Sequence, residues 1–301
     1  MKTFATRPRP EPHSPRPCPL CGGSRLAPAW DCGAFRFVRC LSCGLVQQNP
    51  QPEASAVLAR YDESYLAYEE ERQFDYRDLE LLALADLRFE EAAAPLRREA
   101  EDGGRKPRVL DVGCATGALL AKLREGGWDC VGVEACAPAA AYGRRLFGLD
   151  IRASTLEEAR LPAASFEAVH ASHLIEHLNE PGAFLDEAAR LLVPGGLLVL
   201  ATPNADGLQA RLLGPEWRSA IYDHLCLFSR RNLPAFLAAK GFAVERLVTW
   251  GGWAAGLKPA FVKRPLDRAA KRLGFGDVMA IMARKRLMDV DMTGHGDHGA
   301  A

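Results

Sequence analysis

The stretch VLDVGCATG, residues 109–117, decides how this chain reads. Val109, Leu110, Asp111 and Val112 form a short apolar run of the kind that makes a buried strand, and Ala118, Leu119, Leu120 and Leu123 follow the glycines at helical spacing. The glycines therefore occupy a strand-to-helix turn, where open α/β sheets bind ligands. Gly113 and Gly117 carry no side chain, so a ligand can approach the backbone closely while the next helix offers its N-terminal N–H groups. Packing alone also makes such turns glycine-rich.

A second acid narrows the reading. Glu134 ends the next apolar run, VGVEA, seventeen residues after Gly117, where a carboxylate can accept hydrogen bonds from both hydroxyls of a ribose. The loop has neither the G-x-G-x-x-G of a dinucleotide site nor the Gly-Lys-Ser/Thr of a phosphate loop. Asp111 would repel a phosphate and suits a cation. A ligand with an adenosine, an amino-acid tail and a sulfonium, but no phosphate, fits these demands.

The runs RVLDV, CVGVEA, a short one near Ile151, FEAVHAS and LLVLATPN predict strands, separated by helices over 117–125, 138–147 and 181–196. A helix over 232–240, the strand AVERLVTW and a strand-like DVMAIMARK follow. This alternation implies a mainly parallel sheet with helices on both faces. Residues 55–100, rich in Leu, Ala and Glu, predict helix, with Tyr61, Tyr65 and Tyr68 on one face. That face either closes a pocket or packs on the core.

VLDVGCATG, VGVEA, FEAVHASHLIEHLNEP and PGGLLVLATPN, in that order, resemble the class I S-adenosylmethionine-dependent methyltransferases, especially the small-molecule branch that includes ubiquinone-biosynthesis methyltransferases. The resemblance covers roughly residues 108–286. It implies a Rossmann-like α/β methyltransferase sheet, mostly parallel with one antiparallel strand. It implies that Asp111, Gly113, Cys114 and Gly117 hold the methionine end of the cofactor, Glu134 the ribose, and Thr155 and Leu156 the adenine, with Ser172 bordering the site. Many relatives carry Asp at that third-strand position, where this chain reads ASTLE.

Methyl transfer is an in-line displacement, so positioning dominates and a general base is needed only when the acceptor carries a proton. His173, just past the fourth strand, is the first candidate. The neighbouring Glu176-His177 pair is either functional or a hydrogen-bonded part of the fold. Tyr222 and His224, in WRSAIYDHLCLFS, are the next catalytic candidates, with Asp223 placed to orient an imidazole; His224 as a cap is the alternative. An Asn/Asp-Pro-Pro-aromatic tetrad and a Pro-Cys nucleophile are both absent, which excludes two classes of base methylation.

CPLCGG and CLSCG place Cys18, Cys21, Cys40 and Cys43 in a C-x2-C-x18-C-x2-C pattern, the spacing of a four-thiolate structural zinc ribbon. A redox disulfide pair is the alternative, and Cys32 is read as a bystander. The predicted organisation is a disordered 1–17, a zinc-binding module over 18–50, a helical lid or linker over 51–107, the methyltransferase domain over 108–286 and a disordered 287–301. His295 and His298 in that tail are read as incidental.

Lys plus Arg equals Asp plus Glu at 38 each, so net charge argues for neither nucleic acid nor membrane. With no signal peptide and no long apolar run, the expectation is a cytoplasmic protein without a membrane span. The leading reading is methyl transfer to a small-molecule acceptor using S-adenosylmethionine. Two others compete with it. One is an RNA methyltransferase, with Arg25, Arg36, Arg39 and the basic stretch 258–286 following a phosphate backbone. The other is a non-catalytic zinc-ribbon adaptor.

Overall fold

A computed structural model describes residues 13–14, 16–251, 271 and 273–287. Of the segments expected to be disordered, 1–17 and 287–301, residues 1–12, 15 and 288–301 lie outside the described residues, as do 258–270 and 272 of the basic stretch 258–286, whereas 13–14 form a short strand. The chain opens with β1 (His13–Ser14), β2 (Leu26–Asp31), β3 (Arg36–Cys40), β4 (Val46–Gln48) and β5 (Gln51–Pro52). Helices α1 (Ala54–Leu58), α2 (Glu63–Leu87) and α3 (Phe89–Asp102) follow.

The expected continuous helix over 55–100 is thus three helices. Asp62 caps α2 by accepting hydrogen bonds from the Ser64 and Tyr65 N–H groups, and Arg88, at φ 58°, ends α2 in the left-handed region where helices stop. Tyr61 therefore precedes the helix, and the three tyrosines do not act as one face. Tyr61 packs edge-on against Tyr65 at 5.1 Å, whereas the Tyr68 hydroxyl pairs with that of Tyr76 at 2.6 Å.

The remaining elements are β6 (Arg108–Val112), α4 (Ala118–Glu125), β7 (Asp129–Glu134), α5 (Ala137–Phe147), β8 (Asp150–Ala153), β9 (Phe166–Ser172), α6 (Pro181–Leu191), β10 (Leu192–Pro203), α7 (Leu208–Leu213), β11 (Cys226–Leu227), α8 (Asn232–Ala239), β12 (Phe242–Trp250) and β13 (Val278–Lys285). Helix α6 stops just short of Pro194 and Gly195, the residues expected to close it, because Leu192 already pairs with Phe166 of β9.

Seven strands form one sheet in the order β12-β13-β10-β9-β6-β7-β8, in which β13 alone runs antiparallel to its neighbours. This is the mostly parallel sheet with one reversed strand that the motif order implied. Alternation along the strands feeds two cores, as the period of two requires. Leu110, Val169, Leu198 and Ile281 bury one face, and Val109, Ala168, Val199 and Met282 the other. Among the described residues no helix is long and apolar enough to cross a membrane.

The N-terminal sheet, ordered β11-β4-β3-β2, takes its edge strand β11 from the segment between β10 and β12 of the large sheet. Cys18, Cys40 and Leu45 pack in the same core cluster as Val112, Ile175 and Leu225. The cysteine module is therefore built onto the α/β domain, directly beside the segment that carries Tyr222 and His224.

Candidate functional site

The glycine loop leaves β6 at the carboxyl edge of the sheet. Gly113, Ala115 and Gly117 have φ of 72°, 48° and 76°, which turns three alternate residues into the left-handed region; the Gly113 N–H donates to Val133 O at 2.8 Å and the Gly117 N–H to Cys114 O at 2.7 Å, which closes the turn. Glu134, at the end of β7, is almost fully buried and spans this turn: one carboxylate oxygen accepts from Ala115 N–H at 2.9 Å and the other from Cys136 N–H at 2.7 Å. Each oxygen keeps a second lone pair for a hydroxyl. The Cys114 thiol points the other way. It packs on β7, where a Cβ at Gly132 would lie only 2.6 Å from it, so this residue can meet a ligand through its backbone only.

Asp111 is buried and bonded to the ring of buried His170, with Nδ1 to Oδ1 at 2.7 Å. The two residues are direct neighbours across β6 and β9. Burial pulls His170 down, but the Asp111 carboxylate more than offsets this and holds the ring above its ordinary value. His170 hides inside the apolar-looking run FEAVHAS, and only the strand register, fifty-nine residues apart in sequence, reveals it.

Helix α2 adds two acids, Glu69 and Glu80, to this site. Burial pushes Glu69 up to about 7, helped by the nearby charges of Glu134 and Glu80. Glu80 rises to about 7 as well, again chiefly through burial, with Asp111 adding to it and His170 and His173 opposing. Glu134 reaches about 7 because burial and Asp111 outweigh its N–H donors. Four buried or half-buried carboxylates thus raise one another, the condition a bound cation relieves.

Past β9, His173 adopts φ 51° and anchors its N–H to Ala201 O at 2.8 Å. Its side chain is half exposed, and its Nδ1 meets a carboxylate oxygen of fully buried Glu176 at 3.0 Å. The other Glu176 oxygen accepts from the Thr202 hydroxyl at 2.9 Å. Burial pushes Glu176 up, but His173 with the charges of His177 and His224 overrides it and brings the carboxyl down to about 2. The chain places Ser172 beside Glu80, Leu156 in the core with Val112 and Ile175, and Thr155 in a reciprocal cap with Glu158.

In the segment before β11, the Tyr222 ring is held between Phe35, 5.6 Å away edge-on, and the Arg60 guanidinium, 4.4 Å above it. Arg60 also pairs with Asp223 at 2.7 Å in a mostly buried bridge. Tyr222 is almost fully buried, which suits a wall better than an acid. His224 is buried with Nδ1 on Ser219 O at 2.8 Å, and burial with the neighbouring His177 brings it down to about 3. Trp217 belongs to the core, its Nε1 donating to Asp277.

The four module cysteines converge with all sulfurs within 4.8 Å. Cys18 and Cys43 sulfurs lie 3.4 Å apart, and those of Cys21 and Cys40 3.5 Å apart. A disulfide would need about 2.05 Å. A tetrahedron with bonds of ~2.3 Å has edges of about 3.8 Å, close to what is seen. Burial pushes the Cys18 and Cys43 thiols up, whereas at Cys40 the N–H donors of Cys43 and Ser42 with the Cys21 and Cys43 thiols outweigh burial and bring it to about 7. Cys32 lies outside this cluster.

The sequence profile of a family described as a methyltransferase domain matches residues 84–247, more than half of the chain. Over 102 residues the chain is 36% identical to a ubiquinone biosynthesis O-methyltransferase of Bradyrhizobium sp., covering 32% of this chain and 40% of that one. Over 128 residues it is 35% identical to the enzyme of the same name from Caulobacter sp., covering 39% and 51%. The chain therefore spans about half or less of the length of these curated relatives. A solved structure from Thermotoga maritima, described as an S-adenosylmethionine-dependent methyltransferase and possible histamine N-methyltransferase, superposes with a TM-score of 0.50 at 21% identity, covering 73% of this chain and 96% of that one. At that identity the likeness speaks for the fold.

Proposed function

The chain belongs to the methyltransferase-domain family, and from this premise we propose that it moves the methyl group of S-adenosylmethionine onto a hydroxyl of a small molecule. The observation that carries the reading is the cluster of acids at the glycine loop, where Glu134 accepts from the Ala115 and Cys136 N–H groups and feels the charges of Asp111 and Glu69, with Glu80 beside Asp111, and no phosphate-binding motif is present. S-adenosylmethionine, when bound, supplies an electrophilic methyl group on a sulfonium. The backbone of Gly113, Cys114 and Gly117 with Asp111 holds the amino-acid end, His170 fixing the Asp111 carboxylate. Glu134 holds the ribose, and Thr155 and Leu156 border the adenine, with Ser172 and helix α2 closing the cleft against water.

At the acceptor side, His173 takes the hydroxyl proton on Nε2 while Glu176 orients the ring through Nδ1. Tyr222, fixed by Phe35 and Arg60, walls the pocket beside His224. The four-cysteine module holds a structural Zn2+ through Cys18, Cys21, Cys40 and Cys43, leaving no open position on it. The relatives' names favour a small oxygen acceptor over RNA. His173→Gln is expected to lower turnover by about 10²–10⁴-fold while S-adenosylhomocysteine binds as in the wild type. Incubation with methyl-labelled cofactor and cell extract reads the acceptor: label in the small-molecule fraction supports the assignment, and label confined to RNA rejects it.

The acid cleft also makes binding depend on pH. Glu69, Glu80 and Glu134 keep protons up to about 7 in the folded chain, above the unfolded carboxylate value of about 4.3. The folded state then binds more protons across that window, so the stability of the ligand-free chain falls as pH rises through it. A cation bound there favours the ionised acids. Affinity for S-adenosylmethionine is expected to rise with pH between about 5 and 8, with proton release, and the neutral thioether of S-adenosylhomocysteine to gain less. Calorimetry in two buffers of different ionisation heat measures the released protons, and equal pH slopes for the two ligands would contradict it.

A further inference from the structure

Between α1 and α2 the chain makes a short turn, 59–62, that touches both halves of the site. We propose that Arg60 in this turn is a positioning residue that carries the filling of the cofactor cleft to the acceptor side, so that Tyr222, Asp223 and the turn bearing His173 are held in place once a ligand occupies Glu134. This role rests on the methyltransferase reading, which says what fills the cleft.

On the acceptor side the contacts are direct. Arg60 Nη1 donates to Asp223 Oδ1 at 2.7 Å, with the two side chains only 11% and 15% exposed. The same guanidinium lies 4.4 Å above the Tyr222 ring, which Phe35 also meets edge-on. One planar fork thus fixes two consecutive residues, by charge and by stacking, a combination that a lysine does not reproduce. From Asp223 the path continues through the backbone. Its carbonyl oxygen accepts from His177 Nδ1 at 2.9 Å, and Leu225 N–H donates to Glu176 O at 2.7 Å. Glu176 in turn orients the His173 ring at 3.0 Å, so a shift of Asp223 reaches the proposed base.

On the cofactor side the turn is tied to the end of β7. Glu134 accepts from the Cys136 N–H at 2.7 Å, and the buried Cys136 thiol donates to the Asp62 carbonyl oxygen at 3.4 Å. A thiol is a weak donor, so this tie is soft. Tyr61 and Tyr65, ring against ring at 5.1 Å, both stand near enough to Glu134 to feel its charge, and Tyr61 feels Asp223 and Glu176 as well. Tyr61 therefore stands between the two sites. A ligand on Glu134 adds contact beside these rings to the soft thiol tie, which seats the turn and with it Arg60. Binding that orders a segment leaves less to order for a second ligand, so the two sites couple positively.

Amide hydrogen exchange on the whole chain, with and without S-adenosylhomocysteine, tests this without an acceptor. In the wild type, saturating S-adenosylhomocysteine is expected to slow exchange over 217–228 by about fivefold or more. Arg60→Lys keeps the charge but not the fork, and is expected to bring that slowing below about twofold while affinity for S-adenosylhomocysteine stays within about threefold. Protection over 109–117 should match the wild type. A residue that only stabilised the fold would change exchange equally with and without ligand and leave the ratio untouched. Asp223→Asn should lose the slowing to the same extent, and the double variant no more than either single one, because both act through one pair. A wild type that binds S-adenosylhomocysteine without slowing at 217–228, or a slowing undiminished in Arg60→Lys, overturns the role of Arg60 alone. The first result is read on the wild type, so it decides the matter even if a variant fails to fold. A wild type that binds no S-adenosylhomocysteine rejects the methyltransferase reading, and the coupling with it.

Discussion

Replacing Cys40 with Ser is expected to empty the proposed N-terminal zinc site and to damage acceptor turnover more than cofactor binding. A structural four-thiolate site in zinc-finger peptides is worth roughly 10–16 kcal/mol, and a hydroxyl in place of one thiolate removes a ligand from a set with no spare. The module contributes Cys18, Cys40 and Leu45 to the core that holds Ile175 and Leu225. Its β4 also pairs with β11, two residues past His224. Loosening the module therefore loosens the wall made by Tyr222 and Arg60, while the glycine loop and Glu134 are held by β6 and β7. Zinc content by mass spectrometry should fall below about a tenth of wild type, with a drop in Tm of at least ~10 °C. Acceptor turnover should fall at least about tenfold, with S-adenosylhomocysteine affinity within about threefold. Cys32→Ser, outside the cluster, should leave all three unchanged. Full zinc occupancy in Cys40→Ser would rule out this ligand set.

Strand periodicity and glycine turns are local signals, which is why the sheet could be read from residues 108–203 and why β13, an apolar run like any other, could be placed but not paired. Pairing is long-range. Nothing in FEAVHAS marks His170 as the partner of Asp111, because the strand buries every position but the last and a histidine there reads as packing. The two-residue β11 is too short to carry a period, so the fusion of the cysteine module to the acceptor segment was invisible. The acids of α2 are hidden for another reason. Glu69 belongs to a charged run that normally faces water, and only the position of the helix over the cleft turns it inward. Arg60 and Asp223, 163 positions apart, meet for the same tertiary reason.

Gly143→Ala is expected to weaken cofactor binding by about 10–100-fold, although helix propensity alone argues the opposite. In the middle of α5, alanine should stabilise the helix by about 0.5–1 kcal/mol over glycine. A Cβ at this position, however, would lie 2.3 Å from the Thr116 carbonyl oxygen and 2.6 Å from Ile151 Cδ1. The first contact is backbone of the glycine loop itself and cannot rotate away, so either α5 or the loop must move by about an ångström. Overpacking of this kind costs about 1–3 kcal/mol, more than propensity returns, and displacing a positioning loop by ~1 Å can cost about 10²-fold in function. Tm should fall by several degrees, at about 2–4 °C per kcal/mol for a domain this size. Gly148→Ala separates the two causes. Gly148 caps the same helix at φ 62° with nothing within 4 Å of the added Cβ. It should lower Tm by backbone strain of about 1 kcal/mol and leave S-adenosylhomocysteine affinity intact. If Gly143→Ala binds S-adenosylhomocysteine as tightly as the wild type, then α5 does not set the geometry of the loop, and the close approach of helix to turn is not what the cofactor site depends on.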